Sequence, residues 1–153
     1  KPFWEIESSD WDQVINVNLK GTFHTCKTAL PWLKQSLAGR IINFSSAVVP
    51  MGRPNYLHYV SSKAGVQGLS RAMAREVGDF NITVNAILPG STVTEVARET
   101  VSLEQMKVMI QSRCIKRPQE VSYLTGLVGF LCSREADFIT GQSFVVDGGL
   151  TVT

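Results

Sequence analysis

Tyr59 and Lys63 stand four residues apart in Tyr59-Val60-Ser61-Ser62-Lys63, where the sequence reads as the start of a helix. Residues at that spacing share a helix face, with Cβ atoms roughly 5–6 Å apart. An ammonium about 6 Å from a phenol, at an effective dielectric near 20, favours the phenolate by roughly 3 kcal/mol. That brings proton exchange by the phenol toward neutral pH, where it can act as a general acid or base. Alone the spacing is a weak signal, because Y-x-x-x-K more commonly marks a pair on a solvated surface.

Two neighbours strengthen it. Ser46 lies thirteen residues before Tyr59, just past a strand candidate. A hydroxyl at the carboxyl end of a parallel strand stands where open α/β sheets bind ligands. There it can hydrogen-bond a substrate carbonyl and stabilise the alkoxide formed when hydride arrives; its plainer meaning is a turn-forming serine. Pro89-Gly90 ends the next strand candidate, where a bare backbone lets a flat ligand come close.

The elements that must carry these groups are legible from periodicity. Ser8, Ser9 or Asp10 can cap a helix whose apolar positions run from Trp11 through Leu30, predicting about six turns to Leu37 with a bend at Pro31 and a stop at Gly39. Arg40–Ser45 and Ile82–Leu88 are short apolar runs that predict strands covered on both faces. Between them Pro50, Gly52 and Pro54 mark a loop. Tyr59 to Val77 follows as a helix with Val60, Ala64, Leu69, Met73 and Val77 toward the core. The polar stretch Glu95–Ile115 reads as a helical excursion. Pro118 is placed to open a last helix with Val121, Leu124, Leu127, Val128 and Leu131 inward, and Ser143–Asp147 predicts a third strand before Gly148-Gly149. Strands alternating with helices predict an α/β fold with a parallel sheet.

Composition excludes several classes. Fifteen basic against thirteen acidic residues give +2, too balanced for a nucleic-acid or anionic-membrane partner. The longest apolar run, Leu124–Cys132, suits a buried helix rather than a membrane span. Cys26, Cys114 and Cys132 are far apart and odd in number, which predicts reduced thiols and a cytoplasmic setting. At 153 residues the chain makes one domain at most.

Taken together, the motifs resemble the carboxyl-terminal portion of a short-chain dehydrogenase/reductase of the compact branch. The matching stretches are Asn16–Gly21, Asn43-Phe44-Ser45-Ser46, Tyr59–Gly65, Val84–Gly90, and Thr140-Gly141-Gln142 running into Asp147-Gly148-Gly149. They cover nearly the whole chain in family order and spacing. The resemblance implies a Rossmann-like doubly wound parallel sheet, of which this chain supplies the last three strands and their helices. Residues 1–153 would be the catalytic, carboxyl-terminal portion of a single domain whose dinucleotide-binding half is absent. It further implies an NAD(P)-dependent oxidoreductase moving hydride between nicotinamide and a carbonyl or secondary alcohol.

By the same resemblance, Tyr59 is the acid/base and Ser46 orients the carbonyl. Lys63 favours the phenolate, and Tyr59 and Lys63 bind the nicotinamide ribose. Asn18 holds a water linking Lys63 to solvent. Pro89, Gly90 and the backbone of Thr92 meet the nicotinamide, with the Thr94 hydroxyl near its carboxamide or a phosphate. The sequence departs from the family at Thr92, usually aliphatic, and at Arg117–Val121, where a glycine and a Pro-Glu pair are usual. The cofactor is NAD or NADP and the partner a small carbonyl or alcohol substrate. Small residues on the Tyr59 helix (Ser62, Gly65, Gly68, Ala72) suit the family's four-helix interface and so a homodimer or homotetramer.

Other residues carry less. His58 precedes the predicted helix and is set aside as a base; His24 has no companion ligands for a metal. Asn43 and Asn81 match glycosylation acceptors within or at strand candidates, an accidental match, and Trp4, Trp11 and Trp32 can be core or interface. A glycine-rich phosphate loop and the residue that selects NAD or NADP would lie upstream of Lys1, leaving the Arg40–Ser45 strand with an unpaired edge. Two alternatives are carried forward: a truncated, non-catalytic chain acting only in dimerisation, and the epimerase or dehydratase chemistry of extended relatives, which the Pro89-Gly90 and Asp147-Gly148-Gly149 ends disfavour.

Overall fold

A computed structural model describes residues 1–95 and 102–152. Three parallel strands, β1 (Arg40–Phe44), β2 (Thr83–Pro89) and β5 (Ser143–Val146), form a sheet in the order β1-β2-β5. A separate two-stranded pair joins β3 (Thr92–Val93) to β4 (Gln119–Glu120). The helices are α1 (Ser8–Ile15), α2 (Gly21–Leu33), α3 (Val48–Met51), α4 (Leu57–Val77), α5 (Leu103–Gln111) and α6 (Ser122–Cys132). Strands alternating with helices around a parallel sheet are the α/β architecture the sequence predicts.

Alternation along each strand divides the core in two. Ile41 and Val84 face α2 and α4, where they pack with Cys26, Ala74 and Val77; Ile42 and Ile87 face the opposite side and pack with Leu131, Leu127 and Val128 of α6. Ile87 is completely buried. Ile87→Ala is expected to lower unfolding free energy by about 2–5 kcal/mol, from lost transfer energy plus the cavity left. Urea unfolding checks this; a loss well under 1 kcal/mol would mean α6 does not pack on β2 as described.

Several expectations are corrected. No Ser8, Ser9 or Asp10 side chain caps the first helix, whose N-cap is Glu7. The helix also ends at Leu33 rather than Leu37. Pro31 lacks the N–H its turn would use, and the Ser36 hydroxyl takes the Ala38 amide in a separate turn. Residues 16–20 form a π-turn inside that helix, where the Gly21 amide reaches back to the Asn16 carbonyl. The loop marked by Pro50 and Gly52 contains α3.

The buried stripe of α4 is Ser62, Val66, Ser70, Ala74 and Val77; Ala64 is exposed. Ser62 and Ser70 donate to the carbonyls of Tyr59 and Val66, so their hydroxyls are satisfied without water and can be buried. Pro118 does not open α6. The next two residues are held in the β3–β4 pair, and Val121, the N-cap of α6, is exposed. Of the Glu95–Ile115 stretch, residues 96–101 lie outside the described residues. The remainder gives α5, started by a capping box between Ser102 and Gln105. Asn43 is buried, with its carboxamide held by Cys26 and Ser70, whereas Asn81 is exposed in a left-handed turn. Trp4 and Trp32 are exposed. No helix among the described residues is long and apolar enough to cross a membrane.

Candidate active site

The carboxyl ends of β1 and β2 and the first turn of α4 enclose a cleft of about 480 Å³. Ser46, Tyr59, Pro89, Gly90 and Ser91 line it. Ser46 stands two residues past the end of β1 and is buried to 8% exposure; its oxygen accepts the Val48 amide at 3.3 Å, leaving the hydroxyl proton to donate elsewhere. Tyr59 projects from α4, and its phenol has no hydrogen-bond partner among the described residues.

Lys63 lies one turn further along α4. Its Nζ is 5.8 Å from the centre of the Tyr59 ring and donates to the Phe44 carbonyl at 3.0 Å. Burial lowers its pKa from the ordinary lysine range. Between that lowered value and the ordinary one near 10.4, the unfolded chain holds the extra proton, so this group's contribution to stability rises with pH. The difference in unfolding free energy between wild type and Lys63→Met is therefore expected to grow in favour of wild type from pH 7 to pH 10. Urea titrations at both pH values test this; a flat difference would contradict it.

Asn18 sits within the π-turn. Its Nδ2 donates to Ser62 Oγ at 3.1 Å, and Ser62 donates to the Tyr59 carbonyl at 2.7 Å. The Thr22 hydroxyl occupies the Asn18 carbonyl at 2.7 Å. Gly65 permits this approach of α4, since a Cβ there would lie 2.7 Å from Leu19 Cδ2. This small residue thus serves packing within the chain. Asn18 lines an adjoining cleft with Asp10 and His58 rather than the one holding Tyr59.

Gly90 is held between strands. Its amide donates to the Val146 carbonyl at 2.8 Å, and Gln119 Nε2 donates to the same oxygen at 2.8 Å. Thr92 is buried at 6% exposure in the β3–β4 pair, its hydroxyl on the Gly90 carbonyl, while Thr94 is exposed and stands outside the cleft lining.

Several supporting groups were not found by spacing. The Asp147 carboxylate accepts the amides of Gly149, Leu150 and Thr151 and the Thr151 hydroxyl. Asn85, 1% exposed, ties β2 to the approach to β5 through Ile139 and Gln142. Arg113, 3% exposed, donates to the carbonyls of Ser91 and Arg117 at 2.8 and 2.9 Å. Its burial lowers the guanidinium pKa, and Asp147 opposes that shift. Only the Asp147-Gly148-Gly149 turn left a local signal, its two glycines with positive φ. Among the described residues no group of three or more His, Cys, Asp or Glu side chains, His24 included, is placed to hold a metal ion.

The arrangement brings two proton donors and an ammonium to the end of a parallel sheet, which suits chemistry at a carbonyl oxygen. The chain belongs to the short-chain dehydrogenase/reductase family. Residues 1–151 match the family model described as enoyl-(acyl carrier protein) reductase. A 3-oxoacyl-(acyl-carrier-protein) reductase of Staphylococcus epidermidis is 38% identical over 145 residues, covering 95% of this chain and 59% of its own length. A probable galactose dehydrogenase of Rhizobium meliloti is 36% identical over 146 residues, covering 95% and 57%. A solved 3-oxoacyl-(acyl-carrier-protein) reductase of Brucella melitensis with bound NAD superposes with a TM-score of 0.90 at 29% identity, covering 100% of this chain and 56% of that one. The chain thus spans less than two thirds of the length of these relatives, and its sheet corresponds to part of their Rossmann fold.

Proposed function

We propose that this chain carries the proton-transfer half of an NAD(P)-dependent oxidoreductase that interconverts a ketone and a secondary alcohol. The observation that supports it most is the presence of Ser46 and Tyr59 in one cleft with Lys63 one turn behind. In this reading Ser46 donates its free hydroxyl proton to the substrate carbonyl oxygen. Tyr59 gives that oxygen a proton in reduction and takes one back in oxidation. General acid/base help of this kind typically contributes 10²–10⁴-fold.

The residues present fit a nicotinamide riboside. Lys63 has three N–H donors and one acceptor among the described residues, the Phe44 carbonyl, so it can also reach ribose hydroxyls. Tyr59 and Lys63 would bind the ribose, and Pro89, Gly90, Thr92 and Thr94 the nicotinamide end. When bound, NAD or NADP supplies or accepts hydride at the carbonyl carbon. Asn18 would connect Lys63 to solvent through a water for proton resupply.

In the same reading residues 1–153 are the carboxyl-terminal portion of one Rossmann-like domain, in keeping with the 59% coverage of a relative. The protein would be cytoplasmic and assemble as a homodimer or homotetramer through the helices around Asn18 and Tyr59. Fluorescence titration of the full-length protein with NADH and NADPH, followed by turnover of a ketone panel, tests the proposal. Binding of one cofactor with turnover is expected. No binding and no turnover would leave only the reading of a non-catalytic dimerisation partner.

A further inference from the structure

The outer part of the same cleft carries charge that proton transfer does not use. Arg53 and His58 line it beside Tyr59. The Arg53 guanidinium stacks on Tyr56, its Cζ 4.3 Å from the ring centre, and the Tyr56 ring meets the Tyr59 ring edge-on at 6.4 Å. Tyr56 thus touches both Tyr59 and Arg53. The Arg53 amide donates to the Val48 carbonyl, which fixes its backbone against α3.

Among the described residues no carboxylate pairs with Arg53, and none of the side chains lining the cleft is acidic. Asp10, which faces His58 from α1, is held in an ion pair with Lys1. Among the described residues His58 Nδ1 is buried without a hydrogen-bond partner. The same lining includes the apolar side chains Val48, Met51, Met109 and Leu150. A guanidinium stacked on a ring keeps its edge N–H groups free and pre-oriented for bidentate binding of a carboxylate.

We infer that the substrate is an oxo acid, an inference that rests on the oxidoreductase reading above. Its carbonyl meets Ser46 and Tyr59, several carbons lie along the apolar wall, and its carboxylate meets Arg53 beside His58. The carboxylate takes no part in the chemistry. In reduction the carbonyl carbon gains hydride from the reduced nicotinamide, the oxygen gains its proton from Tyr59, and a hydroxy acid and oxidised cofactor leave.

The test compares 5-oxohexanoate with its methyl ester in the full-length protein. Wild type is expected to favour the acid at least about tenfold in kcat/KM, chiefly through KM, as for a charge-assisted hydrogen bond. Arg53→Met is expected to bring the acid-to-ester ratio near one, and Arg53→Lys to restore part of it. Calorimetry with hexanoate and hexanamide, without cofactor, is expected to show the same Arg53-dependent preference. Turnover of the ester with no preference for the acid, or a preference that survives Arg53→Met, overturns the inference and leaves the oxidoreductase reading standing. Turnover of neither compound overturns the inference, whereas the oxidoreductase reading falls only if cofactor binding and turnover of the ketone panel fail as well.

Discussion

Tyr59→Phe in the full-length protein is expected to lower turnover by roughly 10²–10⁴-fold, the scale of a lost general acid. The ring remains against Tyr56 and beneath Lys63, so the packing of α4 is kept. What disappears is one oxygen, and that oxygen has no hydrogen-bond partner within the described protein to lose. Stability is therefore expected to change by less than about 0.5 kcal/mol, as at sites away from packing or networks. Cofactor affinity is expected to fall far less than turnover, because Lys63 and the Pro89-Gly90 backbone remain. Stopped-flow hydride transfer with matched cofactor titrations separates the two quantities. Turnover near wild type would remove Tyr59 from the chemistry.

Gly90→Ala is expected to damage stability and cofactor binding together. A Cβ at Gly90 would stand 2.7 Å from Gln119 Oε1, 2.8 Å from Asp147 Cβ and 2.9 Å from Asp147 Cα. The Gln119 side chain can move, although its amide group is tied to Val146. The backbone of Asp147 cannot move cheaply, because its carboxylate holds three successive amides and the Val146 carbonyl holds Gly90 itself. Overpacking of this kind costs about 1–3 kcal/mol. Relief comes by parting the ends of β2 and β5, which shifts the floor of the cleft at Pro89 and Ser91. The expected result is a lower urea midpoint and at least tenfold weaker binding of the nicotinamide cofactor. An alanine variant with wild-type stability would mean that the two strand ends are not held together as the structure has them.

The sequence shows the sheet and the candidate site groups for the same reason: both depend on short, local patterns. Arg40–Ser45 and Ile82–Leu88 read as short apolar strands, and β1 and β2 lie within a residue of them; β2 is buried on both faces as expected, whereas β1 buries Ile41 and Asn43 and leaves Phe44 exposed. Tyr59, Lys63 and Ser46 announce themselves by spacing together with the family resemblance. What stays hidden depends on partners far along the chain. The two-residue bridge of Thr92 and Val93 with Gln119 and Glu120 has no periodicity, yet it displaces the start of α6. Arg113 reaches Ser91 across 22 positions and reads locally as one more surface cation. In α4, Ser62 and Ser70 look polar to a hydropathy count but are buried, because each spends its proton on its own helix.

The π-turn at residues 16–20 has a consequence for the frame of the whole first helix. An extra residue in one turn rotates everything upstream by about 100° relative to everything downstream. In a regular helix Cys26 would stand about 120° around from Val14, and across the π-turn about 20°, so the extra residue brings Trp11 and Val14 into one stripe with Cys26 and Leu30. The register slips where Asn18 turns toward Ser62, so a regular helix would carry that carboxamide away from α4. The chain gives up the regular ladder of one helix there, and with it sets Asn18 and Leu19 against the helix that carries Tyr59.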